Sequence, residues 1–150
     1  MSDDRQVTPR SYSIYPRVAV GVLVFDGSKF LLIRRKQEPN KGKWTIPGGL
    51  LELGESLEEA AKREIYEECN IAIRNVKRLA IFEYIEKDDR NEIEYHYVII
   101  DFIGRYDSGD LKAQSDVDRA AWFSYADLKH LKCTKGIKEL VRKAISAMGR

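Results

Sequence analysis

The run from Arg17 to Phe25 constrains the fold more than any other part of the chain. Val18, Val20, Val22 and Val24 alternate with Ala19, Leu23 and Phe25, so one strand is apolar on both faces. Such a strand belongs inside a sheet that is covered above and below. Asp26-Gly27 tolerates the positive φ angles of a tight hairpin, and Phe30-Leu31-Leu32-Ile33-Arg34-Arg35 reads as the partner strand. Two helices are available to cover the sheet. Ser56, with Glu59 three residues on, is a capped helix start, and Leu57, Ala61, Ile65 and Cys69 recur every four residues behind it. Ile137, Leu140, Val141, Ala144, Ile145 and Met148 keep helical spacing near the other end of the chain.

Shorter elements lie between these landmarks. Trp44-Thr45-Ile46 is a short strand that Pro47 ends, after a loop marked by Pro39 and Gly42, and Gly48-Gly49 lets the backbone turn or approach a neighbour closely. Leu79 to Ile85 and Ile93 to Ile103 read as a longer hairpin around the charged turn Lys87-Asp88-Asp89-Arg90-Asn91. Tyr106 to Asp118 reads as a loop, Ala120 to Phe123 as a strand, and Ser124 to Asp127 as the capped start of a brief helix. With 150 residues and no internal linker, the expectation is a flexible arm over 1–14 and a single domain over 15–150.

Composition narrows the function classes. No stretch approaches the ~20 apolar residues of a membrane helix, and Met1-Ser2-Asp3-Asp4 is too acidic for a leader, so a cytoplasmic protein without membrane contact is expected. Cys69 and Cys133 lie far apart and read as reduced, small apolar fillers. The net charge of +2 conceals a basic stretch, because residues 129–150 carry +6. No aromatic or glycine interleaving accompanies those lysines, so they read as a solvated helix face rather than a nucleic-acid contact.

The chemistry concentrates on the first helix. Glu64, Glu67 and Glu68 stand at i, i+3 and i+4, so three carboxylates project from one side and repel unless something positive sits among them. Arg63 can balance one. Oxygen-only donors of this charge density suit Mg2+ or Mn2+ better than zinc, and such cations bind through a few carboxylates together with substrate phosphate oxygens.

Gly49, Glu55, Arg63-Glu64, Ile65, Glu67-Glu68, Asn70 and Ile71 occupy 23 residues with the spacing of the Nudix box, which this segment closely resembles. Only Asn70 departs, where that family has glycine, and Asn also accepts the left-handed conformation that ends a helix. The Trp44 to Gly49 lead-in, the Arg34-Arg35 strand and the Trp122-Phe123 strand extend the resemblance over about residues 17–148.

The resemblance implies an α/β fold, an α/β/α sandwich with a mixed, mainly antiparallel central sheet. It also implies Mg2+-dependent hydrolysis of a nucleoside diphosphate linked to another moiety, by water attack on a bridging phosphate. Carried over by position, Glu67 and Glu68 are the main metal ligands, with Glu64 and the backbone of Gly49 beside them. Arg63 then orients a neighbouring glutamate and Glu55 braces the loop. The general base is Glu64 or Asp116, the latter from the loop before the Trp122 strand.

Arg34 and Arg35 point to opposite faces of their strand, so one of them can meet a substrate phosphate. Phe82, Tyr84 and Tyr97 can stack on a base. An ADP-ribose-like substrate ranks first. Nucleoside triphosphates, including oxidised purines, rank next, and capped or triphosphorylated RNA ends stay open. A non-catalytic nucleotide sensor is the alternative from another class. The partner is a small-molecule nucleotide, and the chain is a monomer or a homodimer.

Overall fold

The computed structural model describes residues 10–38 and 40–149, and most of the expected arm, like Pro39, lies outside them. Strand β1 (Arg17–Asp26) turns through Gly27 into β2 (Lys29–Arg35), as the Asp-Gly signal predicts. The two strands pair only at the turn, Phe25 with Phe30 and Asp26 with Lys29, and then splay apart. Strand β3 (Trp44–Thr45) enters the wedge and pairs with Ile33 and Arg34 of β2. Strand β4 (Gly48–Leu50) pairs with Ala19 to Gly21 of β1. Between β3 and β4, the Val22 N–H donates to the Pro47 carbonyl at 2.9 Å. The Gly-Gly pair read as a turn or close approach is thus also an edge strand.

Helix α1 (Leu57–Cys69) follows, capped by the Ser56 hydroxyl, which accepts from the Glu59 N–H at 3.1 Å. Asn70 ends it at φ +63°, with its N–H bonded to the Tyr66 carbonyl, as expected for a residue replacing glycine. Strands β5 (Ala72–Lys87) and β6 (Ile93–Ser108) are longer at their outer ends than their apolar runs suggest. Arg74, Lys77 and Arg78 hide the start of β5 from any alternation pattern, and three bulges along 72–80 keep it paired to β6. The expected loop from Tyr106 therefore begins after Ser108 and ends at β7 (Val117–Phe123).

β1 and β6 run parallel and all other pairs run antiparallel, giving the order β3-β2-β1-β6-β5 with β7 on β2 and β4 on β1. Helix α2 (Ile137–Ala147) follows a 3₁₀ turn at Tyr125–His130, where the Asp127 carboxylate accepts from the Ser124 N–H at 2.7 Å.

The two faces of β1 lead to two cores. Val20, Val22 and Val24 pack with Leu31, Ile33, Ile100 and Phe102 under Ala60, Ala61, Ile65 and Cys69 of α1. Leu23, Phe25, Phe30 and Leu32 pack with Trp44 and Leu128 under Ile137, Val141 and Ala144 of α2. The layers are helix, mixed sheet, helix. Among the described residues, no helix is long and apolar enough to cross a membrane.

Candidate active site

Burial of Ile65 and Cys69 against the sheet brings the flanking Glu64 and Glu68 beside Gly49 and Gly48 of β4 and leaves Arg63 facing Leu50 and the loop before the helix. There Arg63 is the organising cation. Its Nε and one terminal nitrogen grip the two Glu55 oxygens at 2.8 and 2.7 Å. The same terminal nitrogen donates to the Leu50 carbonyl at 3.1 Å, and the other reaches Glu64 at 2.8 Å and Glu67 at 3.1 Å. Glu52 stands 3.6 Å away and donates its backbone N–H to Glu55 at 2.9 Å. The hydrogen bonds from Arg63 hold the Glu55 carboxyl below its usual range.

Glu68 is set apart from this network. Its carboxylate accepts from the Gly48 N–H at 2.8 Å, and burial pushes its pKa up to about 7 against that single donor. Glu64, with a side chain only 12% exposed, is also raised by burial, opposed by Arg63. A methyl at Gly49 would run into the Glu64 carboxylate, so a side chain there would displace that carboxylate from its place beside Arg63.

Among the described residues, no three carboxylates, imidazoles or thiols already converge as a metal cage. Glu64 and Glu67 are turned onto Arg63 and Glu68 onto Gly48. The donor chemistry nevertheless fits a hard divalent cation. The available atoms are carboxylate oxygens from adjacent turns of one helix, and Glu64 and Glu68 are held in burial that disfavours their charge.

The adjacent arginines separate as strand geometry requires. Arg34 bonds to Asp118 through Nε at 2.7 Å and lies over the Trp44 ring at 5.9 Å. The charge of Arg35, by contrast, acts on Glu68, Tyr95 and Tyr97. Arg10 acts on Glu64, Glu68 and Tyr97. Nothing in the sequence marks Arg10, which is exposed and precedes the first periodic segment; close by, the Tyr12 N–H donates to the Glu94 carbonyl at 2.7 Å.

Tyr84 and Tyr97 face each other across β5 and β6 with rings 6.2 Å apart and 19° from parallel. Tyr95 stacks on Tyr97 at 6.2 Å, and the Tyr84 hydroxyl donates to Glu86. Phe82 is half-exposed on the same face, opposite Ile99. This face is the one that α2 covers farther along, through Leu23 and Ile103. The carboxylates and the tyrosines therefore lie on opposite sides of the sheet, linked by the fields of Arg10 and Arg35. Asp116 is exposed in the loop before β7, and its carbonyl accepts from the Lys36 N–H at 3.2 Å. His96 is on the other face, opposite Ile85.

A family profile described as the NUDIX domain matches residues 15–144. An ADP-ribose pyrophosphatase of Methanocaldococcus jannaschii is 36% identical over 124 residues, covering 81% of this chain and 71% of that protein. The NAD-capped RNA hydrolase NudC of Haemophilus influenzae is 30% identical over 125 residues, 80% of this chain but 44% of its own length. Among solved structures, a MutT NUDIX hydrolase from Burkholderia pseudomallei superposes with a TM-score of 0.75 at 28% identity, over 86% of this chain and 98% of that one. The NUDIX domain of Shewanella oneidensis NrtR, a cocrystal with ADP ribose, has a TM-score of 0.74 over 89% of each chain, and at 20% identity speaks to the fold alone.

Proposed function

The chain belongs to the Nudix family and is a Nudix pyrophosphohydrolase; we propose that its substrate is ADP-ribose-like, cleaved by water attack at a bridging phosphorus. The observation that carries this reading is the carboxylate set of α1 and the loop before it, in which one guanidinium orients Glu55 of the loop and Glu64 and Glu67 of the helix while the Glu68 carboxylate accepts from the Gly48 N–H. The identity to an ADP-ribose pyrophosphatase over most of both chains supports the choice of substrate class.

Glu67 and Glu68, with Glu64 and the Gly49 backbone beside them, would hold Mg2+ or Mn2+. Bound there, the cation would stabilise charge on the phosphate oxygens and lower the pKa of a bound water. Arg63 keeps the glutamates aimed, and the Gly48 N–H fixes the Glu68 rotamer. Glu64 is the proposed proton acceptor, because its side chain is buried at the site whereas Asp116 is solvated on a loop. Arg35, whose charge acts on Glu68 and on Tyr97 alike, meets the phosphates between the two faces, and Phe82, Tyr84 and Tyr97 receive the base. The proposed compartment is the cytoplasm.

The test is phosphate-coupled hydrolysis of ADP-ribose, nucleotide sugars, canonical and oxidised nucleoside triphosphates and capped RNA, with Mg2+ and with chelator. Mg2+-dependent turnover of ADP-ribose above the others is expected. Preference for a triphosphate would move the substrate class, and nucleotide binding without any turnover would identify a sensor. Glu64→Gln should lower kcat by about 10²–10⁴-fold with KM little changed. If Asp116→Asn does so instead, the proton acceptor is Asp116.

A further inference from the structure

Asp101, 7% exposed, is the least solvent-exposed charged residue among those described, and no step above uses it. It lies on β6 opposite Gly21 of β1 and Ala80 of β5. Along this face, Leu23 and Ile103 are covered by α2, and Gly21 and Asp101 form the next row. Beyond them come Ala19, Ile99 and Phe82, and then Arg17, Tyr97 and Tyr84. The carboxyl therefore marks the inner end of the aromatic face.

Space is kept for that carboxyl. A side chain at Gly21 would begin 2.5 Å from Asp101 Oδ1 and 2.7 Å from Ile46 Cδ1. Burial raises its pKa to about 6, and among the described residues neither a cation nor a hydrogen-bond donor offsets the effect. Among the described residues, no fully sealed side-chain oxygen lacks a partner. A carboxyl at this depth without a donor therefore keeps an opening, and the open side of this face is the aromatic end. A lone buried carboxyl costs free energy and packs worse than a leucine would, so the fold alone gives no reason for it.

We propose that Asp101 is a specificity-determining residue whose carboxyl accepts a hydrogen bond from the exocyclic amino group of the substrate's nucleobase as the base lies on the Phe82, Tyr84 and Tyr97 face. The inference rests on the nucleotide reading of the previous section and extends it to the base. An ionised carboxylate only accepts, so it rewards an amine and gains nothing from a base whose amine carries no hydrogen. Adenine, in the ADP-ribose-like reading, is the base concerned.

The experiment compares equilibrium binding of ADP and N6,N6-dimethyl-ADP to the full chain and its variants at pH 8, with thermal melts as the control for folding. Wild type is expected to favour ADP on the order of tenfold or more, the scale of one hydrogen bond to a charged group. Asp101→Ala should bind both nucleotides alike and melt no lower than wild type. Asp101→Asn should keep the preference, because its amide oxygen still accepts. A wild-type preference that survives in Asp101→Ala, or a wild type that binds both nucleotides equally, overturns this proposal and leaves hydrolysis untouched. Failure of wild type to bind either nucleotide overturns the ADP-ribose-like reading with it.

Discussion

One guanidinium, that of Arg63, touches Glu55, Glu64 and Glu67, so its removal frees three carboxylates at once. Arg63→Ala should weaken Mg2+ affinity or activity by about 10–100-fold, as for other residues that orient metal ligands. Lys at 63 should not restore it, because an ammonium cannot present the planar fork that grips Glu55. Mg2+ titration of activity and of heat release checks both variants.

Glu68 makes a separate prediction about pH. Its folded pKa of about 7 lies above that of an ordinary glutamate, so without metal the folded state binds the proton more tightly than the unfolded chain does. The associated stability is present below the ordinary glutamate range and is lost as pH rises through about 7. Melting temperatures in chelator from pH 4.5 to 8 should fall along this window, and Glu68→Gln should make the fall shallower, leaving the part that Asp101 and Glu64, also raised by burial, contribute. An unchanged slope in that variant would show that Glu68 is not the titrating group. Glu55, lowered by Arg63, acts in the opposite sense, and its stability is lost as acid protonates it.

At the level of elements, α1 shows how much a helix can declare about itself. Its cap, its buried stripe and its carboxylates all follow from spacing within one segment, and all are where the sequence places them. Asn70 tests the one departure from the box. Asn70→Ala should cost about 1–2 kcal/mol, because alanine keeps the Cβ strain of positive φ without the local side-chain hydrogen bonding by which asparagine offsets it. It also loses the bond from Nδ2 to the Asp110 carbonyl at 2.9 Å. Asn70→Gly relieves the strain, loses the same bond and should sit near wild type in denaturant titrations. β5 and β6 show the opposite case. Their outer ends are strands only because each supplies the other's partners, and no local pattern in the Arg74 to Arg78 stretch announces that.

The whole molecule places two cores on one sheet, and each contains a tryptophan. Trp122 packs against the α1-side cluster and Trp44 belongs to the α2-side cluster. Because β1 and β2 contribute to both, single-tryptophan variants made by Trp44→Phe and Trp122→Phe should each show fluorescence and circular dichroism transitions that coincide. Separate midpoints within one variant would mean that the faces unfold independently. Ile65→Ala and Leu32→Ala, one on each side, should each lower stability by about 2–5 kcal/mol in that single transition.

By itself the sequence determined what local spacing can carry: the two-faced strand, the capped helix, its row of carboxylates and the family to which they point. Those features depend on neighbours within a few residues, where 3.6-residue and two-residue periods translate directly into faces. The splay of β1 and β2, the seating of β4 in the wedge and the row that sets Asp101 behind the tyrosines were decided only by the tertiary structure. Each depends on the register of strands far apart in the chain, and a shift of one residue would turn those side chains to the other face of the sheet.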